Sequence, residues 1–118
     1  GHVMQVHEGP ASISKRGTVA LQAGMLLSNE PGHYRAGEWG IRTETLIAIS
    51  EADDGGFMGF ETITLCPIDR RLIDPEMLLP AERAWLNDYH ARVEESLAPQ
   101  LVGEQDCLAW LQAACAPV

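Results

Sequence analysis

Gly40-Ile41-Arg42-Thr43-Glu44-Thr45-Leu46-Ile47-Ala48-Ile49 is the stretch on which the fold turns. Its residues alternate. Ile41, Thr43, Thr45, Ile47 and Ile49 fall on one side of an extended chain, and Arg42, Glu44, Leu46 and Ala48 on the other. The pattern predicts one strand over 40–49, and therefore a sheet. Upstream, Thr18–Ser28 carries Val19, Leu21, Met25, Leu26 and Leu27, broken by Ala23-Gly24, which predicts a strand entered through a turn. Asn29-Glu30-Pro31-Gly32 reads as a turn, because Pro fixes φ and Gly accepts positive φ. Gly37 and Gly40 bracket a further bend. Downstream, Glu51–Gly56 is a polar loop, and Phe57–Leu65 is a third strand rich in Phe, Ile and Thr.

Beyond Pro67 the character changes to helix. Asp74-Pro75-Glu76 pairs an N-cap with proline at the first helical position, opening a short turn through Leu79. Pro80-Ala81-Glu82 starts a longer helix, in which Trp85, Leu86, Tyr89, Val93 and Leu97 form one apolar stripe ended by Ala98-Pro99. Asp106–Cys115 repeats the pattern, with Leu108, Leu111 and Ala114 on one side. The expected class is α+β: antiparallel strands followed by two or three helices.

The chain has 118 residues, of which 8 are basic and 17 acidic, giving a formal charge of −9. Apolar types make up 46% and charged types 21%, the balance of a globular domain and not of a disordered tail. That length suits one core, burying roughly 65% of the surface of the unfolded chain. A net negative surface argues against nucleic acid or an anionic membrane as partner. No apolar run spans a bilayer, and no signal-peptide core is present. Cys66, Cys107 and Cys115 are odd in number and form no CxxC pair, so a disulfide scaffold or cysteine zinc site is not expected and a cytoplasmic setting is. Phosphate-binding glycine loops, a GxSxG elbow and an HExxH helix are all missing.

Three places could carry chemistry. His7, in Val6-His7-Glu8-Gly9-Pro10, precedes a Gly-Pro turn and is either structural or catalytic. Glu30 ends an apolar strand just before a rigid turn, and is either solvated or a ligand. Glu44 shares a strand face with Arg42. That pair is either a surface ion pair worth little or, if buried, a carboxylate that needs Arg42 or a metal as partner.

Taken in order, VHEGP, LLSNEPGHY, Gly40-Ile-Arg-Thr-Glu44-Thr-Leu and Gly59-Phe-Glu-Thr-Ile-Thr-Leu-Cys-Pro-Ile-Asp-Arg70 resemble the C-terminal part of the Xaa-Pro aminopeptidases, family M24 metallopeptidases of the pita-bread fold. The resemblance runs from Val3 to Val118 and includes the family's helical C-terminal segment. It implies two divalent cations, usually manganese, held by two aspartates, a histidine and two glutamates. Glu30 matches one glutamate ligand and Glu44 the one that bridges both ions. Hard cations want oxygen donors, and a pair of them activates water. Arg42, on the face of Glu44, would orient the carboxylate ligands. His7 matches the histidine that faces substrate beyond the metals, where it would bond the scissile carbonyl or stabilise the tetrahedral intermediate. The family removes the first residue of peptides with proline second, an amide whose nitrogen carries no N–H.

By the same resemblance the aspartates and the ligand histidine lie upstream of Gly1, so this chain holds two of five ligands and, alone, is expected to be inactive. Residues 1–2 read as a tag remnant, 3–66 as the C-terminal part of the catalytic domain, and 67–118 as the helical segment. His33 stands where the family has tyrosine, and Thr43 where an aliphatic residue is common. The competing readings are a pita-bread relative that binds without catalysing, and a helical tail that serves as a homodimer or binding surface.

Overall fold

The computed structural model describes residues 11–52 and 54–118. The chain divides into two compact units, one ending at Thr64 and the other Leu65–Val118. The expected α+β class holds, with strands in the first unit and helices in the second.

The first unit contains five strands: β1 (Leu26–Asn29), β2 (Gly32–Arg35), β3 (Trp39–Arg42), β4 (Thr45–Ala52) and β5 (Met58–Thr62). They form an antiparallel three-stranded sheet in the order β1-β4-β5 and an antiparallel β2-β3 pair. The expectation of one strand over 40–49 is corrected. Thr43 and Glu44 separate β3 from β4, which belong to different sheets. The Asn29–Gly32 turn is corrected too: the chain does not reverse there.

Both corrections have one cause. The β1-β4 ladder pairs Leu26 with Ala48 and Asn29 with Thr45, and the β2-β3 ladder pairs Gly32 with Arg42 and Arg35 with Trp39. These ladders share a single register, which sets Pro31 opposite Thr43 and Glu30 opposite Glu44. Thr43 N–H still donates to Pro31 O at 3.2 Å. The reciprocal bond cannot form, because proline has no N–H. One long hairpin is thus split into two ladders by one missing donor.

Within β4 the predicted alternation survives as burial: Ile47 and Ile49 are buried, while Leu46 is half exposed. The first strand is shorter than expected, since only Leu26–Asn29 is paired as strand. A turn precedes it, at Gly24, whose φ of 83° suits glycine. The hairpin bend falls at Gly37 (φ 75°), while Gly40 lies inside β3.

The second unit begins with two 3-10 turns, Arg70–Leu72 and Pro75–Met77, capped by the Asp69 and Asp74 carboxylates. Helix α1 (Pro80–Leu97) starts where predicted; Pro80 is its first residue and Glu82 accepts from Leu79 N–H at 2.9 Å. Helix α2 spans Gln105–Cys115. Tyr89, Val93, Leu111 and Cys115 form the core, with Leu65, Ile68, Leu97, Ala98 and Leu101 packed on it. The stripe reading needs one correction, because Trp85 is 53% exposed and only stacks on Tyr89. His90 takes a place in the interior instead, fully buried, its Nε2 accepting from Ile68 N–H at 3.1 Å. Tyr89 acts beside it: its hydroxyl donates to Cys66 O at 2.9 Å. The two side chains pin the extended segment that precedes the first turn. Arg70 ties the far end, donating to Ala113 O at 3.1 Å and Pro117 O at 2.9 Å. All three cysteines are free.

Candidate metal-binding carboxylates

The gap between the two ladders is where the acidic side chains meet. In an antiparallel pair, hydrogen-bonded and non-hydrogen-bonded positions alternate. Thr43 and Pro31 share the bonded kind, so Glu30 and Glu44 occupy the non-bonded kind, where side chains lie closest, with Cβ atoms about 4.5–5.5 Å apart. Two like charges placed directly opposite repel. Arg42 relieves this: its Nη1 is 3.8 Å from Glu30 Oε2 and its Nε is 3.3 Å from Glu44 Oε2. One guanidinium against two carboxylates leaves a net negative charge on the face.

Alternation through the gap places Ser28, Glu30, Gly32 and Tyr34 on the same face as Gly40, Arg42 and Glu44. Ser28 donates its hydroxyl to Glu30 Oε1 at 2.7 Å. The Tyr34 ring lies across the hairpin over two glycines. A Cβ at Gly32 would meet the Tyr34 hydroxyl at 2.7 Å, and one at Gly40 would meet its Cδ1 at 2.5 Å. The ring therefore needs both positions bare. Tyr34 is the first cause of a raised Arg42 pKa, and Glu44 and then Glu30 add to it. Tyr34 thus influences Arg42, and Arg42 spans the glutamates.

The structure brings together Glu30, Glu44 and Arg42, three of the four residues singled out from the sequence. The fourth, His7, lies outside the described residues. His33 falls on the opposite face, against Trp39 with ring centroids 5.4 Å apart, and so does not share the Glu30 face. Ser28 and Tyr34 were missed. Carrying the two-residue alternation through Pro31 would have found them, but reading a turn at that proline broke the count.

Chemically, the donors fit a divalent cation. Glu30 and Glu44 offer hard oxygens from neighbouring strands, partly open to solvent. They supply only part of a binding set: among the described residues no group of three or more His, Cys, Asp or Glu could hold a metal.

Comparison with known proteins places the chain in a family. Residues 1–51 match metallopeptidase family M24, and residues 56–118 match the C-terminal region of peptidase_M24. The probable Xaa-Pro aminopeptidase P of Coprinopsis cinerea is 41% identical across the whole chain, and aminopeptidase P1 of Lotus japonicus is 42% identical, also across the whole chain. The chain spans about a fifth of each relative: 20% of the first and 19% of the second. The crystal structure of X-prolyl aminopeptidase from Caenorhabditis elegans, described as a cytosolic enzyme with a di-nuclear active site, superimposes with a TM-score of 0.84 at 38% identity. That match covers 98% of this chain and 20% of the other. The five strands and two helices are thus a portion of the pita-bread fold.

Proposed function

The chain belongs to the M24 metallopeptidases, and from that premise we propose that it is the C-terminal part of an Xaa-Pro aminopeptidase in which Glu30 and Glu44 are metal ligands. The observation that carries the reading is the opposition of the two glutamates across the strand pair, spanned by Arg42. When bound, a pair of divalent cations supplies Lewis acidity and an activated water. Glu30 and Glu44 would be among the residues that hold them. Arg42 reaches both carboxylates and turns them to a common side. His7, from its place in VHEGP, would donate to the scissile carbonyl.

The substrate we propose is a peptide with proline at the second position. Its scissile bond offers no N–H, so the usual strand-like grip on that amide is lost and the metals and His7 must carry more of the recognition. Manganese is the proposed metal, since carboxylate oxygens suit a hard cation. The C. elegans enzyme is described as cytosolic, and we assign the same compartment here. The division at 66/67 marks the end of the catalytic portion, with 67–118 as the helical segment. Trp85 and Trp110, 53% and 63% exposed, make that segment the candidate homodimer surface.

With two carboxylates and no further ligand among the described residues, the 118 residues alone are expected to bind cations weakly and to lack turnover. The test is hydrolysis of an Xaa-Pro peptide by this chain and by one extended upstream, with metal content measured on both. Activity and bound metal in the extended chain alone would support the reading. Turnover by the 118 residues, or none by either with metal supplied, would refute it.

A further inference from the structure

Glu30 lies in the gap of the ladder, so its carboxylate is not aimed by a paired backbone on both sides. The terminal torsion of a glutamate is broad, and a ligand oxygen is useful only if it points one way. Arg42 and Ser28 both reach that carboxylate. Arg42 approaches Glu30 Oε2 at 3.8 Å, too long for a hydrogen bond, so it contributes charge rather than direction. Ser28 reaches Oε1 at 2.7 Å, the usual length of an O–H···O bond. Ser28 is itself fixed, because it belongs to β1 and pairs with Leu46 of β4. Two residues apart on an extended chain share a face, which makes a short serine side chain sufficient to reach the glutamate.

We infer that Ser28 is a positioning residue for Glu30, its hydroxyl selecting the carboxylate orientation that presents an oxygen to a cation. The inference rests on the reading of Glu30 as a metal ligand. Groups that orient a ligand from behind contribute about 10–100-fold to metal affinity. Threonine keeps the hydroxyl and suits a strand, whereas valine has the same shape without it.

The experiment measures the manganese affinity of the full-length protein by titration calorimetry, beside the thermal midpoint without metal. Ser28→Ala and Ser28→Val should each weaken affinity about 10–100-fold with the midpoint little changed, and Ser28→Thr should restore it. Equal affinity in Ser28→Ala and the parent overturns the inference, as does a loss in Ser28→Thr as large as in Ser28→Val. Glu30→Gln separates the two levels. If it abolishes binding while Ser28→Ala binds as tightly as the parent, only the role of Ser28 falls; if Glu30→Gln binds like the parent, the ligand assignment falls with it.

Discussion

Glu30 stands opposite Glu44 on a pair of antiparallel strands, at the position where the hydrogen-bond ladder lapses and side chains lie closest. The lapse and the pairing of charges are consequences of one residue. Pro31 removes a donor next to Glu30, which opens the ladder without changing its register. Two carboxylates then converge on one face, with Arg42 as the cation between them.

Pro31→Ala tests that cause. It returns an N–H opposite Thr43 O, and the two ladders should join into one from Leu26 to Arg35. Hydrogen exchange would show the new amide at position 31 protected to the level of its strand neighbours. Free exchange at that amide would mean that something other than the missing donor opens the gap.

Gly40→Ala addresses the influence of Tyr34 on Arg42. The added Cβ would lie 2.5 Å from Tyr34 Cδ1, and the ring, 64% exposed, can swing away. Stability should change by less than about 1 kcal/mol. The NMR signal of the Arg42 Nε–H should shift, and Tyr34→Phe should move it in the same way. An unmoved Arg42 signal in both variants would remove Tyr34 from the arrangement.

His90 predicts an acid limb in the stability of the second unit. Burial first, and Arg70 second, hold its pKa below the ordinary 6.5. The unfolded chain therefore takes the proton more readily than the folded one. Stability is complete above the unfolded value of 6.5 and falls as pH drops from there toward the folded value. Protonation also takes away the Nε2 lone pair that accepts from Ile68 N–H. Nδ1, buried without a hydrogen-bond partner among the described residues, offers no compensation. Urea midpoints at about pH 5 and about pH 7.5 should differ in the parent, and His90→Gln, which keeps an acceptor and cannot titrate, should narrow the difference. Equal slopes in the two proteins would contradict this account.

The helical core gives a contrast between neighbours. Leu111 is 1% exposed and Trp110 63% exposed. Leu111→Ala should cost about 2–5 kcal/mol through the cavity it leaves. Trp110→Ala, measured by the same denaturant titration of the isolated chain, should cost far less. Comparable losses would place Trp110 inside a packed interface.

Local signals were the legible ones. Asp74-Pro75 and Pro80-Ala81-Glu82 announce helix starts within three residues, and the structure has a 3-10 turn and α1 there. Ile47 and Ile49 could be assigned to the buried side of a strand from alternation alone. The break at Thr43-Glu44 was hidden because its cause, Pro31, is 12 residues away and acts only across a strand pair. Tyr34 was hidden because a turn read at Pro31 broke the alternation that puts it on the Glu30 face, over bare glycines at 32 and 40. His90 was missed because a polar residue beside Tyr89 on an apolar stripe carries no mark of the backbone N–H it will accept. Of the candidate site, the glutamates and Arg42 were identified by resemblance to a family; their convergence on one face required the register.

The most direct test of the central claim is metal content and Xaa-Pro hydrolysis of the full-length protein carrying Glu30→Gln and Glu44→Gln, singly and together. The account predicts that the parent holds two divalent ions, as the di-nuclear relative is described to do, and that each substitution loses metal and turnover with the fold kept. A double variant that still binds both ions and cleaves the peptide would contradict it.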